Sequence, residues 1–161
     1  MKSLLTSVFL LLLVSIPTSA SADKQYLHAA HAVSVGSTST FSALDGQQYW
    51  QSQTSSAQLI FPVSLHEGDT ITQIEVFLEN TVSASQTVAI RRKGMASTAT
   101  TLVGTSSSPS TTGNHTVAID GLSEDISGDN QWYIRVVMGT TPGNRVRGAR
   151  ITYSPAAEVA Q

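Results

Sequence analysis

The sequence predicts an all-β fold, an antiparallel β-sandwich of jelly-roll type with about eight or nine strands. Three observations carry that expectation. Almost every ordered-looking stretch alternates apolar and polar residues with a period of two, the mark of a strand with one buried face. Clusters of Gly, Pro, Asn, Asp and Ser punctuate these runs, as in LDGQQ, HEGDT, SSSPSTTGN, ISGDN and GTTPGN. After the first apolar run, no segment sustains apolar residues at helical spacing.

Taken in order, the chain opens on a secretory leader. Lys2 precedes the apolar run LLTSVFLLLLVSI, which is too short to span a bilayer, and Ala20 and Ala22 complete an A-x-A cleavage site. Removal of 1–22 implies an exported product whose residues 23–154 form one domain, with a mobile tail at 155–161. YLHAAHAV reads as the first strand and TFSAL as the next. In SAQLIFPVSL, Leu59, Phe61, Val63 and Leu65 share one face; Pro62 has no N–H to donate, which assigns it to an edge or a bulge. In TQIEVFLEN, Ile74, Val76 and Leu78 lie opposite Gln73, Glu75 and Glu79. The short link LHEGDT between these two runs predicts an antiparallel hairpin over 57–79. TVAIRR, TTLVG, HTVAIDG and QWYIRVVM continue the pattern, the last with Trp132, Ile134, Val136 and Met138 inward. RVRGARITY closes the domain with Ile151 and Tyr153 on one face.

The segments PVSLHEGDTI, from Pro62 to Ile71, and GARITY, from Gly148 to Tyr153, resemble a hairpin entry P-V-x-L-x-x-G-x-x-I and a closing strand G-x-R-I-x-Y. Both are found in small exported bacterial β-sandwich proteins of uncharacterised function. The resemblance rests on packing and turn residues. It implies the fold and no activity.

Composition narrows the chemistry. The chain has no cysteine, so its fold rests on a core without disulfides. A net charge of −2 with only 12% charged residues gives no pull toward nucleic acid or anionic lipid. Ser, Thr and Gln supply the surface polarity, and such a weakly charged surface leaves association with partners open.

Several constellations bear on chemistry. His28 and His31 fall on opposite faces of a regular strand, and two imidazoles are too few for a closed zinc site. His66 and His115 lie in or beside turns and show no metal-ligand spacing with them. No cofactor is implied; calcium is the one alternative, with Glu124, Asp125 and Asp129 in LSEDISGDN as its oxygen ligands, although these match no calcium-loop pattern. The nearest Ser–His–Asp grouping, Ser64, His66 and Asp69, crowds one turn, and neither a G-x-S-x-G elbow nor a cysteine nucleophile is present. Glu75 and Glu79 share a face, but four strand residues separate their backbones by about 13 Å, beyond the roughly 5–9.5 Å of glycosidase carboxyl pairs.

Binding has better candidates. Tyr49 and Trp50 stand in the polar stretch DGQQYWQSQT, where aromatic faces stack on sugar rings and glutamines bond hydroxyls, or where Trp50 anchors one end of the core. Tyr133 and Arg135 point away from the core and extend the candidate face. Arg91 and Arg92, with Arg145, Arg147 and Arg150, read as charged strand edges that deter stray pairing or meet a partner; Arg150 joins the face of Arg145 and Arg147 only if Gly148 marks a bulge.

The leading functional expectation is therefore an exported, non-catalytic building block at the cell surface or outside the cell, meeting another extracellular protein or further copies of itself. The alternative is a carbohydrate-binding module with a glycan partner, and the third reading is a polysaccharide-active hydrolase. Neither nucleic acid nor a direct membrane span is expected.

Overall fold

Alternation along the chain becomes two antiparallel sheets that face each other across one apolar layer. The computed structural model describes residues 21–36, 39–44, 47–139 and 141–157. The leader expected over 1–22 falls outside the described residues but for its last two, as do 158–161 of the tail. One sheet has seven strands: β1 (Asp23–His28), β3 (Ser39–Leu44), β4 (Gln47–Ser52), β6 (Thr70–Asn80), β9 (Gly113–Ile119), β10 (Glu124–Asp125) and β12 (Arg145–Ser154). The other has five, in the order β2 (Val33–Ser34), β5 (Gln58–Val63), β11 (Asn130–Val137), β7 (Thr87–Gly94) and β8 (Thr100–Ser107).

Among the described residues, twelve strands stand where eight or nine were expected. The extra ones leave little trace in a hydropathy pattern. β2 and β10 have two residues each, and β4, QQYWQS, is a polar segment recruited by pairing with β3. The predicted inward residues do make the core: Ile74, Val76, Leu78, Val117 and Ile151 from the larger sheet meet Leu59, Phe61, Ile90, Trp132, Ile134 and Val136 from the smaller. Each such side chain, fully buried, contributes about 1.5–3 kcal/mol of transfer free energy.

Two local expectations are corrected. The segment 57–79 is no hairpin: β5 belongs to the five-stranded sheet and β6 to the seven-stranded one, so the link crosses between sheets. Alternation says which face of a strand is buried but not which strand lies beside it, and the ~10 Å gap between stacked sheets is within reach of a short link. Asp69, only 3% exposed, holds this crossing. Its carboxylate accepts the His66 N–H (2.9 Å) and the Ala156 N–H (3.0 Å). YLHAAHAV, read as one strand, is broken by a 3₁₀ turn at Ala29–His31, which turns the exposed His28 and His31 rings toward each other, centroids 5.8 Å apart. Pro62 does sit at an edge, because β2 reaches only Leu59 and Ile60 on that side.

A buried polar plug closes one end of the sandwich. The Asn144 side chain accepts the Thr81 N–H (3.1 Å) and donates to the Ala84 carbonyl (3.1 Å). Gln86 donates to Asn80 Oδ1 (2.9 Å), and Asn80 donates to the Pro109 carbonyl (2.6 Å). The loops that meet here are thereby fixed by hydrogen bonds shielded from water.

The central strand of the larger sheet is β12, paired with β6 on one side and with β1 and the end of β4 on the other. Its register against β6 shifts between Val146 and Gly148, a bulge with Gly148 at φ +155°. A Cβ there would sit 2.7 Å from the Leu27 carbonyl oxygen, so only glycine lets β1 close on β12. Gly148→Ala is expected to lower stability by roughly 2–4 kcal/mol, read from urea unfolding; an unchanged midpoint would show that β1 yields to the methyl group.

Candidate functional site

β11 runs through the middle of the five-stranded sheet, and its period of two sends Trp132 and Ile134 into the core and Tyr133 outward. Pro62 of β5 and Arg91 of β7 lie opposite Tyr133 in register. Toward the end of the sheet near the β5–β6 crossing, these strands and the turn at 126–130 enclose a cleft of about 710 Å³. Ile60, Pro62 and Tyr133 form its apolar floor, with Val63, Leu65 and Ile126 along the side. Glu67, Lys93, Thr100, Asn130 and Gln131 supply polar groups around it. A mostly apolar hollow with a few polar side chains at its rim is the form that small-molecule sites take. Glu67 is the one carboxylate in this lining, so no acid–base pair for glycoside hydrolysis meets there.

Beneath the cleft the two sheets are tied electrostatically. The Arg92 guanidinium stands 5.8 Å from the centre of the Trp132 ring and pairs with Glu124 of the opposite sheet at 3.4 Å.

The outward face of the seven-stranded sheet is built differently. The bulge at Gly148 turns Arg145, Arg147 and Arg150 to the same side. Arg145 and Arg147 share Glu79, at 3.3 and 2.6 Å, while Arg150 binds Glu75 at 2.6 Å. Aromatic rings back these cations: Tyr49 lies 4.5 Å from Arg145, and Tyr26 and Phe77 each lie 5.9 Å from Arg150. The Tyr26 hydroxyl and the Glu75 carboxylate hold the Arg150 guanidinium above its ordinary pKa.

The residues singled out in the sequence therefore do not form one site. Tyr49 is on the outer face of the larger sheet, and Tyr133 and Arg135 are on the outer face of the smaller, where Arg135 Nε donates to Gln58 at 3.0 Å. Trp50 turns inward as an anchor: its indole N–H donates to the Ala29 carbonyl (2.8 Å) and its ring meets Phe41. The arginines are not edge charges, because β7 and β12 each have neighbours on both sides. Arg91 bonds Thr100 at 3.1 Å, and Arg92 points between the sheets. The calcium candidates are likewise separated in purpose. Glu124 pairs with Arg92, Asp125 accepts from Thr70 (2.6 Å), and Asp129 belongs to no group of three ligating side chains among the described residues. Glu75 and Glu79, weighed for hydrolysis, are both engaged by arginines.

Sequence reasoning passed over Ile60 and Phe77 and read Pro62 only as an edge or bulge residue. Each is an apolar residue at a position that alternation assigns to the solvent face, within LIFPV or TQIEVFLEN. That breach of pattern is the signal that marks both surfaces.

Neither a protein-family model nor a curated protein matches the sequence. Solved structures do match. The xylan-binding CBM22-1 domain of Xyn10C from Paenibacillus barcinonensis superposes with a TM-score of 0.58 at 12% identity, covering 86% of this chain and 99% of that one. The C-terminal CBM6 of the laminarinase LamC from Zobellia galactanivorans gives 0.56 at 15% identity, over 81% and 99%. CsCBM6-3 from Clostridium stercorarium, solved in complex with cellobiose, gives 0.54 at 16%, over 82% and 94%. The fold is the β-sandwich seen in these modules. Identities this low establish the sandwich and leave the ligand to the site itself.

Because Trp50 closes the core, Trp50→Ala is expected to cost about 2–3 kcal/mol of stability, less than a fully buried indole. Thermal denaturation checks this. A variant as stable as the parent would return Trp50 to the candidate binding residues.

Proposed function

We propose that this domain is a non-catalytic carbohydrate-binding module whose glycan lies in the cleft over Tyr133. The observation that carries the reading is the cleft itself, an outward aromatic ring on a rigid central strand with amide, hydroxyl and charged side chains at its rim. A pyranose ring has an apolar C–H face and a hydroxylated edge. The Tyr133 ring and Pro62 suit the face, and Asn130, Gln131 and Glu67 suit the hydroxyls. Solved modules of the same fold that bind xylan or carry cellobiose support this reading ahead of the structural building block expected first. The secretory leader expected at 1–22 supports it too, since export would bring the domain to a polysaccharide.

Titration calorimetry with xylo-, cello- and laminari-oligosaccharides tests the proposal. Binding of at least one series is expected, and Tyr133→Ala should weaken it about tenfold or more with little change in melting temperature. Absence of binding in all three series, or binding indifferent to Tyr133, would sink the assignment.

A further inference from the structure

The outer face of the five-stranded sheet carries cations beside the cleft that no carboxylate neutralises. β7 lies next to β11, and the register sets Arg91 opposite Tyr133 and Lys93 opposite Gln131. Opposed residues share a face, and neighbouring strands lie about 4.8 Å apart, so both cations stand beside the aromatic floor. On its other side β7 meets β8, which brings Leu102 opposite Arg91 and Thr100 opposite Lys93. Neither ladder places an acid beside them. Arg91 donates to the Thr100 hydroxyl, and Arg135, on the same face of β11, donates to the neutral Gln58. Among the described residues none of these three cations forms an ion pair, and Lys93 makes no hydrogen bond.

The larger sheet is the reverse, for there Arg145 and Arg147 meet Glu79 and Arg150 meets Glu75. The chain has 11 acidic against 9 basic residues, so the free cations are a local excess in an acidic protein. Glu67, the carboxylate of the cleft lining, leans against Gly128 and pairs with none of them; Asp129 in the same turn forms no ion pair among the described residues either.

We infer that the glycan taken by this cleft is acidic, its carboxylate or sulfate group held by Lys93 and Arg91 on the β7 side. The inference rests on the carbohydrate reading above and names the class of sugar. A pyranose stacked on Tyr133 directs its ring substituents sideways along the sheet. On the β7 flank an anionic oxygen meets an ammonium and a guanidinium through charge-assisted N–H···O bonds. Both side chains are half-buried, so water screens their charge less than at a fully exposed site. A neutral sugar leaves that charge unmatched, whereas an acidic one supplies the complement.

The test is calorimetry on the full domain with acids and their uncharged counterparts. Glucuronate-substituted xylo-oligosaccharides and oligogalacturonates are compared with their methyl esters, and sulfated galacto-oligosaccharides with the desulfated sugars. At least one acid is expected to bind roughly tenfold or more tightly than its counterpart, with a preference that falls as salt is added. The pair that shows it tells carboxylate from sulfate. Lys93→Gln should shrink the ratio of acid to counterpart several-fold, and Glu67→Gln should raise it, a gain that misfolding does not produce. Tyr133→Ala should weaken charged and uncharged sugars together, which reports on the carbohydrate reading separately. Acids bound no better than their counterparts, or a preference untouched by both Lys93→Gln and Glu67→Gln, would overturn the inference; neutral binding lost with Tyr133→Ala would then leave the carbohydrate reading standing. No binding of any saccharide would overturn both.

Discussion

The closeness of β1 to β12 at Gly148 is the contact on which the larger sheet is organised. The Leu27 carbonyl lies where a side chain on residue 148 would begin, and the bulge there inserts one residue into β12 relative to β6. Without that insertion Arg150 would fall on the face opposite Arg145 and Arg147. With it, Val146, Ala149 and Ile151 go to the core, and all three arginines face solvent on one strand. Backbone geometry at a single glycine therefore determines both how the core is filled and where the positive charge stands.

The two outer faces differ because their pairing partners differ. On the larger sheet, β6 supplies Glu75 and Glu79 directly beside the arginines of β12, so cations are held in place by carboxylates and aromatic rings. These ion pairs are partly buried yet reached by water, so they contribute modestly to stability, but they restrict the arginine rotamers. On the smaller sheet, β5 supplies Ile60 and Pro62 beside Tyr133, and the result is an apolar floor. A rigid sheet presenting preordered side chains lowers the entropy lost on binding, whichever ligand arrives. The buried Asn80–Gln86–Asn144 network lies away from the cleft lining and secures the loops at one end of the sandwich.

Much of the fold was legible in the sequence because burial on one face of a strand imposes a period of two. Leu59, Phe61, Ile74, Val76, Ile134 and Val136 were all read inward and are buried. The site was less legible. Tyr133 was correctly placed on the outside, yet Tyr49 and Trp50, adjacent in sequence, were grouped with it. Neighbouring strand residues point to opposite faces, and β4 lies in the other sheet from β11. His28 and His31 were separated by the same rule, which failed because a 3₁₀ turn replaces the strand between them. The breaches of alternation at Ile60, Pro62 and Phe77 were visible, and each of these residues lines a hollow on an outer face.

By itself, the sequence determined the fold class and the inward face of most strands, because these depend on local periodicity and on turn residues. It also determined that no disulfide supports the core. Only the tertiary structure decided which strands are neighbours, that the 57–79 link crosses between sheets, and that Arg147 and Arg145 share one glutamate. Those outcomes depend on pairing across tens of residues, where loop closure costs little more for a distant partner than for a near one. Packing of whole faces, and not local preference, selects among them.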